Sequence, residues 1–191
     1  MIFNASGDKI SLLIRHGDRD KIPVGSFGNE IMLNEHGIIN STRLGESHRD
    51  KQINKIYSSP VGRCVQTAEC IAKGYGSQLD IIESKALGAP GLHINNEEVA
   101  GKYFLENGLP KMYRMFIQGL EIPGVPSVKT FHKKMTDFIV SNTSNEGLTL
   151  FISHDMLIAF YHFSINKTIY TRGNWVKYLS GIELKNGIYE R

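Results

Sequence analysis

Apolar residues gather in short runs along this chain, and each run ends at a polar or glycine-bearing break. Ile10-Ser-Leu-Leu-Ile14 stops at Arg15-His16-Gly17, which predicts a buried strand opening into a loop. Pro23, Gly25 and Gly28 carry that loop onward as turn-formers. A helix is expected from Asn34, a candidate N-cap, to about Asp50. Lys55-Ile-Tyr-Ser-Ser59 reads as a second strand, stopped by Pro60. Behind it Val61, Cys64, Val65, Ala68, Ile71 and Ala72 recur at offsets of three and four, an amphipathic helix closed by Gly74 and Gly76. Leu79-Asp-Ile-Ile82 predicts a third strand.

The rhythm breaks over residues 86–126, where glycines and prolines punctuate two short predicted helices at about 96–106 and 110–120. This stretch reads as a helical and loop insertion beside the sheet, within a single domain spanning residues 1–191. Ser127 should cap a helix whose apolar face is Phe131, Met135, Phe138 and Ile139. Leu148-Thr-Leu-Phe-Ile152 is a strand, a helix follows from about Asp155 to Phe163, and Trp175 to Leu184 reads as one or two strands before an Asn186-Gly187 turn. Strands alternating with helices predict an α/β fold, a three-layer α/β/α sandwich on a mostly parallel sheet.

Composition narrows the functional classes. Basic residues exceed acidic ones by a formal charge of only +3 and are scattered, so no basic stripe marks a nucleic-acid partner. No apolar run is long enough to cross a bilayer, and no secretory leader pattern precedes Ile14, so a cytoplasmic location is the expectation. Cys64 and Cys70 lie six apart on one predicted helix, pointing in different directions, so both should be free thiols. Nothing in the sequence sets an oligomeric state.

The chemistry gathers at strand ends. Ligands of parallel α/β folds bind beyond the C-terminal ends of the strands. There the first strand delivers Arg15-His16-Gly17, the second Ser58-Ser59 with Arg63 beyond, and the fourth Ser153-His154-Asp155. A transferring phosphoryl group spreads charge over its peripheral oxygens, which planar, permanently charged guanidinium groups match in pairs. Arg15, Arg63 and Arg19 could form such a cradle. A neutral imidazole nitrogen of His16 can attack phosphorus near pH 7, and Gly17 would let the backbone approach the phosphate. Asp155 is a candidate proton donor to the departing alcohol, although an Asp opening an apolar helix also serves as a cap. A metal-dependent His-Asp centre would need further ligands on helices, whereas this dyad follows a strand. No metal and no cofactor are expected.

Arg15-His16-Gly17 after an apolar strand resembles the signature of the histidine phosphatase superfamily, which includes the phosphoglycerate mutases and the histidine acid phosphatases. Ser58-Ser-Pro-Val-Gly-Arg63-Cys-Val-Gln-Thr67-Ala68 is similar to its second motif, whose arginine contacts phosphate, and Leu33-Asn-Glu-His-Gly37 to the segment opening its first helix. Phe151-Ile-Ser-His154-Asp155 resembles the late motif with the second active-site histidine. The resemblance covers residues 10 to about 160 in order. It implies a phosphoglycerate mutase-like fold, His16 as nucleophile, and phosphate contacts from Arg15, Arg19, Arg63 and His154.

Two styles of the family are mixed. Arg15-His-Gly-Asp-Arg19 and His154-Asp155 are similar to the acid phosphatases, except that Lys21 stands where their motif has proline. The compact length is similar to the mutase-like branch, whose acid is usually a glutamate after the third strand. No clean match for that glutamate occurs, so the acid is expected at Asp155, with Glu83, Glu97 and Glu98 in reserve. The expected activity is metal-independent hydrolysis of a small phosphorylated molecule. The alternatives are a phosphomutase, or a phosphate-binding or scaffolding relative of low turnover. Residues 20–32 and 86–126 should line the site's mouth, with Lys21 and His93 as substrate contacts. His132 and His162 should be structural or surface residues.

Overall fold

The alternation of strand and helix resolves into one mixed sheet. The structure is a computed structural model describing residues 8–23 and 25–189. Its strands are β1 (Lys9–Arg15), β2 (Ile53–Ser58), β3 (Asp80–Glu83), β4 (Gly147–Ser153), β5 (Gly181–Lys185) and β6 (Ile188–Tyr189). They lie in the order β3-β2-β4-β1-β5-β6. The pairs β3/β2, β2/β4 and β4/β1 are parallel, while β1/β5 and β5/β6 are antiparallel. The mostly parallel α/β sheet expected from the pattern is thus present, with a C-terminal hairpin as its antiparallel edge.

Five helices cover it: α1 (Glu35–Glu46), α2 (Gly62–Tyr75), α3 (Glu97–Ile117), α4 (Val128–Asn142) and α5 (Asp155–Asn166). Successive strand residues point to opposite faces, so the apolar runs of β1 and β4 feed two cores at once. Leu13 and Phe151 enter the core beneath α3, α4 and α5, whereas Ile14, Leu150 and Ile152 enter the one beneath α2. Each such fully buried Leu, Ile or Phe contributes roughly 1.5–3 kcal/mol of transfer free energy. The expected caps are made, since Asn34 accepts from the Gly37 amide and Ser127 from the Thr130 amide. Cys64 and Cys70 are both free. Among the described residues no helix is long and apolar enough to cross a membrane.

Two expected elements differ. The helices at 96–106 and 110–120 are two segments of the single kinked α3. Gly108 bends it with φ 74° and Pro110 opens the second segment, where its missing N–H costs little. The run from Trp175 to Ser180 is not a strand. It is rich in apolar and aromatic residues, but the backbone turns at Leu179 (φ 55°) and pairs with only the last residue of β1 before β5 begins.

Topology positions the strand ends. Central β4 lies between β1 and β2, which are consecutive in the chain, so the connections leaving β1 and β2 diverge around it and open a crevice. Register then sets the level, with Arg15 opposite Ser153 and Ser58 opposite Ile152. His16, His154 and Ser59 therefore leave the sheet side by side.

Candidate active site

The segment after β1 and the start of α2 build the centre. The His16 amide donates to the Ser153 carbonyl (3.0 Å), continuing the parallel ladder one residue past the strand. The His16 ring is 2% exposed. Its Nδ1 lies 2.8 Å from the Gly17 carbonyl, which can only accept, so Nδ1 carries the proton and Nε2 keeps its lone pair. Arg63, in the first turn of α2, donates through Nε to that Nε2 (3.1 Å) and through Nη1 to the Gly28 carbonyl (2.6 Å). Burial pulls the His16 pKa down to about 3; the Arg63 and Arg15 charges add to this, while the Gly17 hydrogen bond and Asp155 oppose it. The ring is neutral across the physiological range.

His154 stands edge-on to His16, with ring centroids 5.5 Å apart. Its Nε2 meets Ser59 Oγ at 3.0 Å, and Arg63 Nη2 lies 3.3 Å from its Nδ1. Because a guanidinium can only donate, Nδ1 is the acceptor and Nε2–H the donor to Ser59. Burial, then the Arg63 charge, pushes the His154 pKa well below its ordinary value. Cys64 Sγ is 3.6 Å from the same Nε2, and burial raises that thiol to about 12, so it stays protonated.

Asp155 opens α5. Its Oδ2 accepts from Arg15 Nη2 (3.0 Å) and from the Trp175 indole (3.1 Å), and its Oδ1 from the Met156 amide (2.9 Å). Arg15 also donates to the Val176 carbonyl (2.7 Å) and lies 4.0 Å above the Tyr178 ring. Arg15 therefore faces the 175–180 segment, and it is His16, Arg19, Arg63, His154 and Asp155 that line the cleft.

The other expected residues divide. Arg19 borders the cleft, its Nη1 bonded to the Asp20 carbonyl (2.6 Å) and its buried Nε without a partner. His93 is buried in the cleft wall, where burial lowers its pKa to about 4 and Nδ1 finds no partner. Glu97 and Glu98 stand at the cleft, whereas Lys21 and Glu83 are exposed and do not line it. His132 and His162 bond to Ser164 and Tyr170 respectively, away from the cleft. Gly17 serves packing more than phosphate approach. Its amide is taken by Thr67 Oγ1 (3.0 Å), and a Cβ there would meet Ser41 Oγ at 2.6 Å.

Sequence reasoning assigned no part to the 175–180 segment. Trp175, Val176 and Tyr178 hold Arg15 and Asp155, and Tyr178 also packs on His16 with centroids 5.7 Å apart. The only sequence signal was the aromatic pair Trp175 and Tyr178 opening the last predicted strand run. Among the described residues no group of three or more His, Cys, Asp or Glu side chains could hold a metal ion.

Comparison with known proteins bears on the family and the fold. Residues 11–168 match the family model of the histidine phosphatase superfamily (branch 1). A 2,3-bisphosphoglycerate-dependent phosphoglycerate mutase of Thermoplasma acidophilum is 28% identical over 151 residues, 76% of this chain and 70% of the relative. A phosphoglycerate mutase from Bacillus anthracis superposes with a TM-score of 0.65 at 18% identity, covering 97% of this chain and 92% of that one. A mycobacterial glucosyl-3-phosphoglycerate phosphatase gives 0.62 at 19% identity, covering 93% and 90%. The fold is therefore phosphoglycerate mutase-like.

Proposed function

Because this chain belongs to the histidine phosphatase superfamily, we propose that it is a metal-independent phosphatase that hydrolyses phosphomonoesters through a phosphohistidine on His16. The observation that carries this reading is the His16 tautomer: Nδ1–H is locked to Gly17 and an Nε2 lone pair is held beside Arg63 and His154.

The proposed reaction has two displacements. As the ester enters, the Arg63 guanidinium turns its Nε–H from Nε2 to a phosphoryl oxygen, which frees the lone pair. Nε2 attacks phosphorus, the N–P bond forms and the P–O bond to the leaving group breaks. The Asp155 carboxylate takes up the proton of the monoanionic ester and gives it to the departing oxygen. Among the carboxylates at the cleft, Asp155 is the one whose charge acts on His16, which favours it over Glu97 and Glu98. Water then attacks phosphorus, Asp155 takes its proton and passes it to the phosphate, and the N–P bond breaks to return neutral His16, the Asp155 carboxylate and inorganic phosphate. Arg63 and His154 hold the phosphoryl oxygens and Arg19 adds a further donor. Arg15 contributes its charge and positions Asp155.

The test is turnover of p-nitrophenyl phosphate with excess EDTA, joined to trapping of an acid-labile, base-stable phosphoprotein. Turnover that persists in EDTA and vanishes in His16→Ala is the expected result. No turnover and no phosphoprotein in the wild type would overturn the reading. The mutase relative supports a second reading, phosphomutase. Incubation with 3-phosphoglycerate separates the two, since a mutase returns its isomer and a phosphatase returns inorganic phosphate.

A further inference from the structure

The cleft changes character along its length. Its inner end is cationic and polar, built by His16, Arg19, Arg63 and His154. Its other walls are apolar: Ile22 and Phe27 from the 20–32 loop and Phe104, Leu105 and Leu109 of α3 line it. The rings of Phe27 and Phe104 stack with centroids 5.5 Å apart and 23° between planes, tying the loop to the helix. The cleft volume is about 740 Å³, in the range of sites that enclose a sizeable organic ligand and far more than a phosphate needs.

Charge at the cleft points the same way. Glu97, Glu98 and Glu106 stand along α3 with Lys102 as the one cation among them. A leaving group with its own carboxylate or second phosphate would meet three carboxylates there and little to neutralise it. These carboxylates are exposed at the cleft, and a like charge brought among them is repelled. An uncharged apolar group meets no such penalty and would cover Phe27 and Leu105, each 46% exposed. Binding energy from this remote part of the ester can then orient phosphorus toward His16.

Resting on the phosphatase reading, we infer that the substrate is a phosphomonoester of a bulky, uncharged, largely apolar alcohol or phenol, seated between the 20–32 loop and α3. Phosphorylated acids are poor ligands of this cleft.

Two measurements test this and keep it apart from the chemistry it rests on. Hydrolysis of 1-naphthyl phosphate, glycerol 3-phosphate and 3-phosphoglycerate is compared by kcat/KM. The naphthyl ester is expected to exceed each of the others by at least tenfold, beyond the advantage it shows over glycerol 3-phosphate in uncatalysed hydrolysis. Phe104→Ala and the exposed-site variant Leu105→Asp should each cut the naphthyl-to-glycerol ratio at least fivefold. Calorimetry reads the cleft without turnover, using naphthylmethylphosphonate against 3-phosphonopropionate, with the naphthyl ligand expected to bind at least tenfold tighter. Equal or inverted binding overturns the inference even if the protein is a phosphatase. Preferential naphthyl binding without hydrolysis of any ester sinks the phosphatase reading and leaves the apolar cleft as a ligand site.

Discussion

Lowering the pH from 7 to 5 loads a specific free-energy difference onto this fold. His16 and His93 are 2% and 6% exposed, and burial lowers their pKa values to about 3 and about 4 from the ordinary 6.5. As pH falls through 6.5 the unfolded chain binds a proton at each, while the folded chain binds neither until the pH nears those lower values. The stability they contribute is therefore full above pH 6.5 and is lost as pH falls toward 3–4. At pH 5, 1.5 units below the unfolded value, each histidine costs about 2 kcal/mol, and the pair about 4 kcal/mol. That sum depends on the unfolded value alone, because pH 5 lies above both folded ones. His154, lowered in the same direction, adds to it.

Against a total stability of about 5–15 kcal/mol, such a loss is large. Urea unfolding at pH 7 and pH 5, with linear extrapolation, reads it directly. His93→Gln should shrink the pH-dependent loss by about 2 kcal/mol, whatever it does to stability at pH 7. Imidazole nitrogen shifts should show His16 neutral, with Nδ1 protonated, at pH 5. A wild-type loss under about 1 kcal/mol, or an imidazolium at His16 in the folded protein at that pH, would refute the reasoning.

In single-turnover experiments Asp155→Asn should slow phosphorylation of His16 by about 10²–10⁴ with an alkyl phosphate and far less with p-nitrophenyl phosphate, whose leaving group needs no proton; equal losses with both would reduce Asp155 to a structural partner of Arg15. Arg15→Leu should cost about 2 kcal/mol in urea unfolding, because it strands a half-buried Asp155 and the Val176 carbonyl. Ser59→Ala removes the acceptor of His154 Nε2, so kcat should fall about tenfold while the midpoint of unfolding moves little. A Cβ at Gly88 would come within 2.6 Å of His154 Nε2, so Gly88→Ala should push that ring aside and lower kcat more than it lowers stability, as activity and thermal melting would show.

Much of the fold was legible because its signals are local. The apolar runs of β1, β2 and β4 mark buried parallel strands, and Asn34 and Ser127 cap the helices their side chains predict. The break at Gly108 and Pro110 was also visible, although it bends α3 without ending it. Trp175 to Ser180 misled because apolar and aromatic content alone does not make a strand; a ladder partner is needed, and this run finds one only at Arg15.

The same division holds at the site. Residue order placed His16, Arg63 and His154 at the ends of predicted elements, because the motif residues follow directly on strands whose pattern is local. Their convergence depends on β4 lying between β1 and β2 in register, a long-range pairing that no local pattern encodes. Tertiary structure likewise turned Arg15 toward Asp155 and Val176, and set an apolar cleft with a carboxylate rim in front of the histidines. The neutrality of His16 is also a tertiary property. The sequence supplies an imidazole of ordinary basicity, and only its burial among Arg63, Arg15 and the Gly17 carbonyl decides which nitrogen keeps its lone pair.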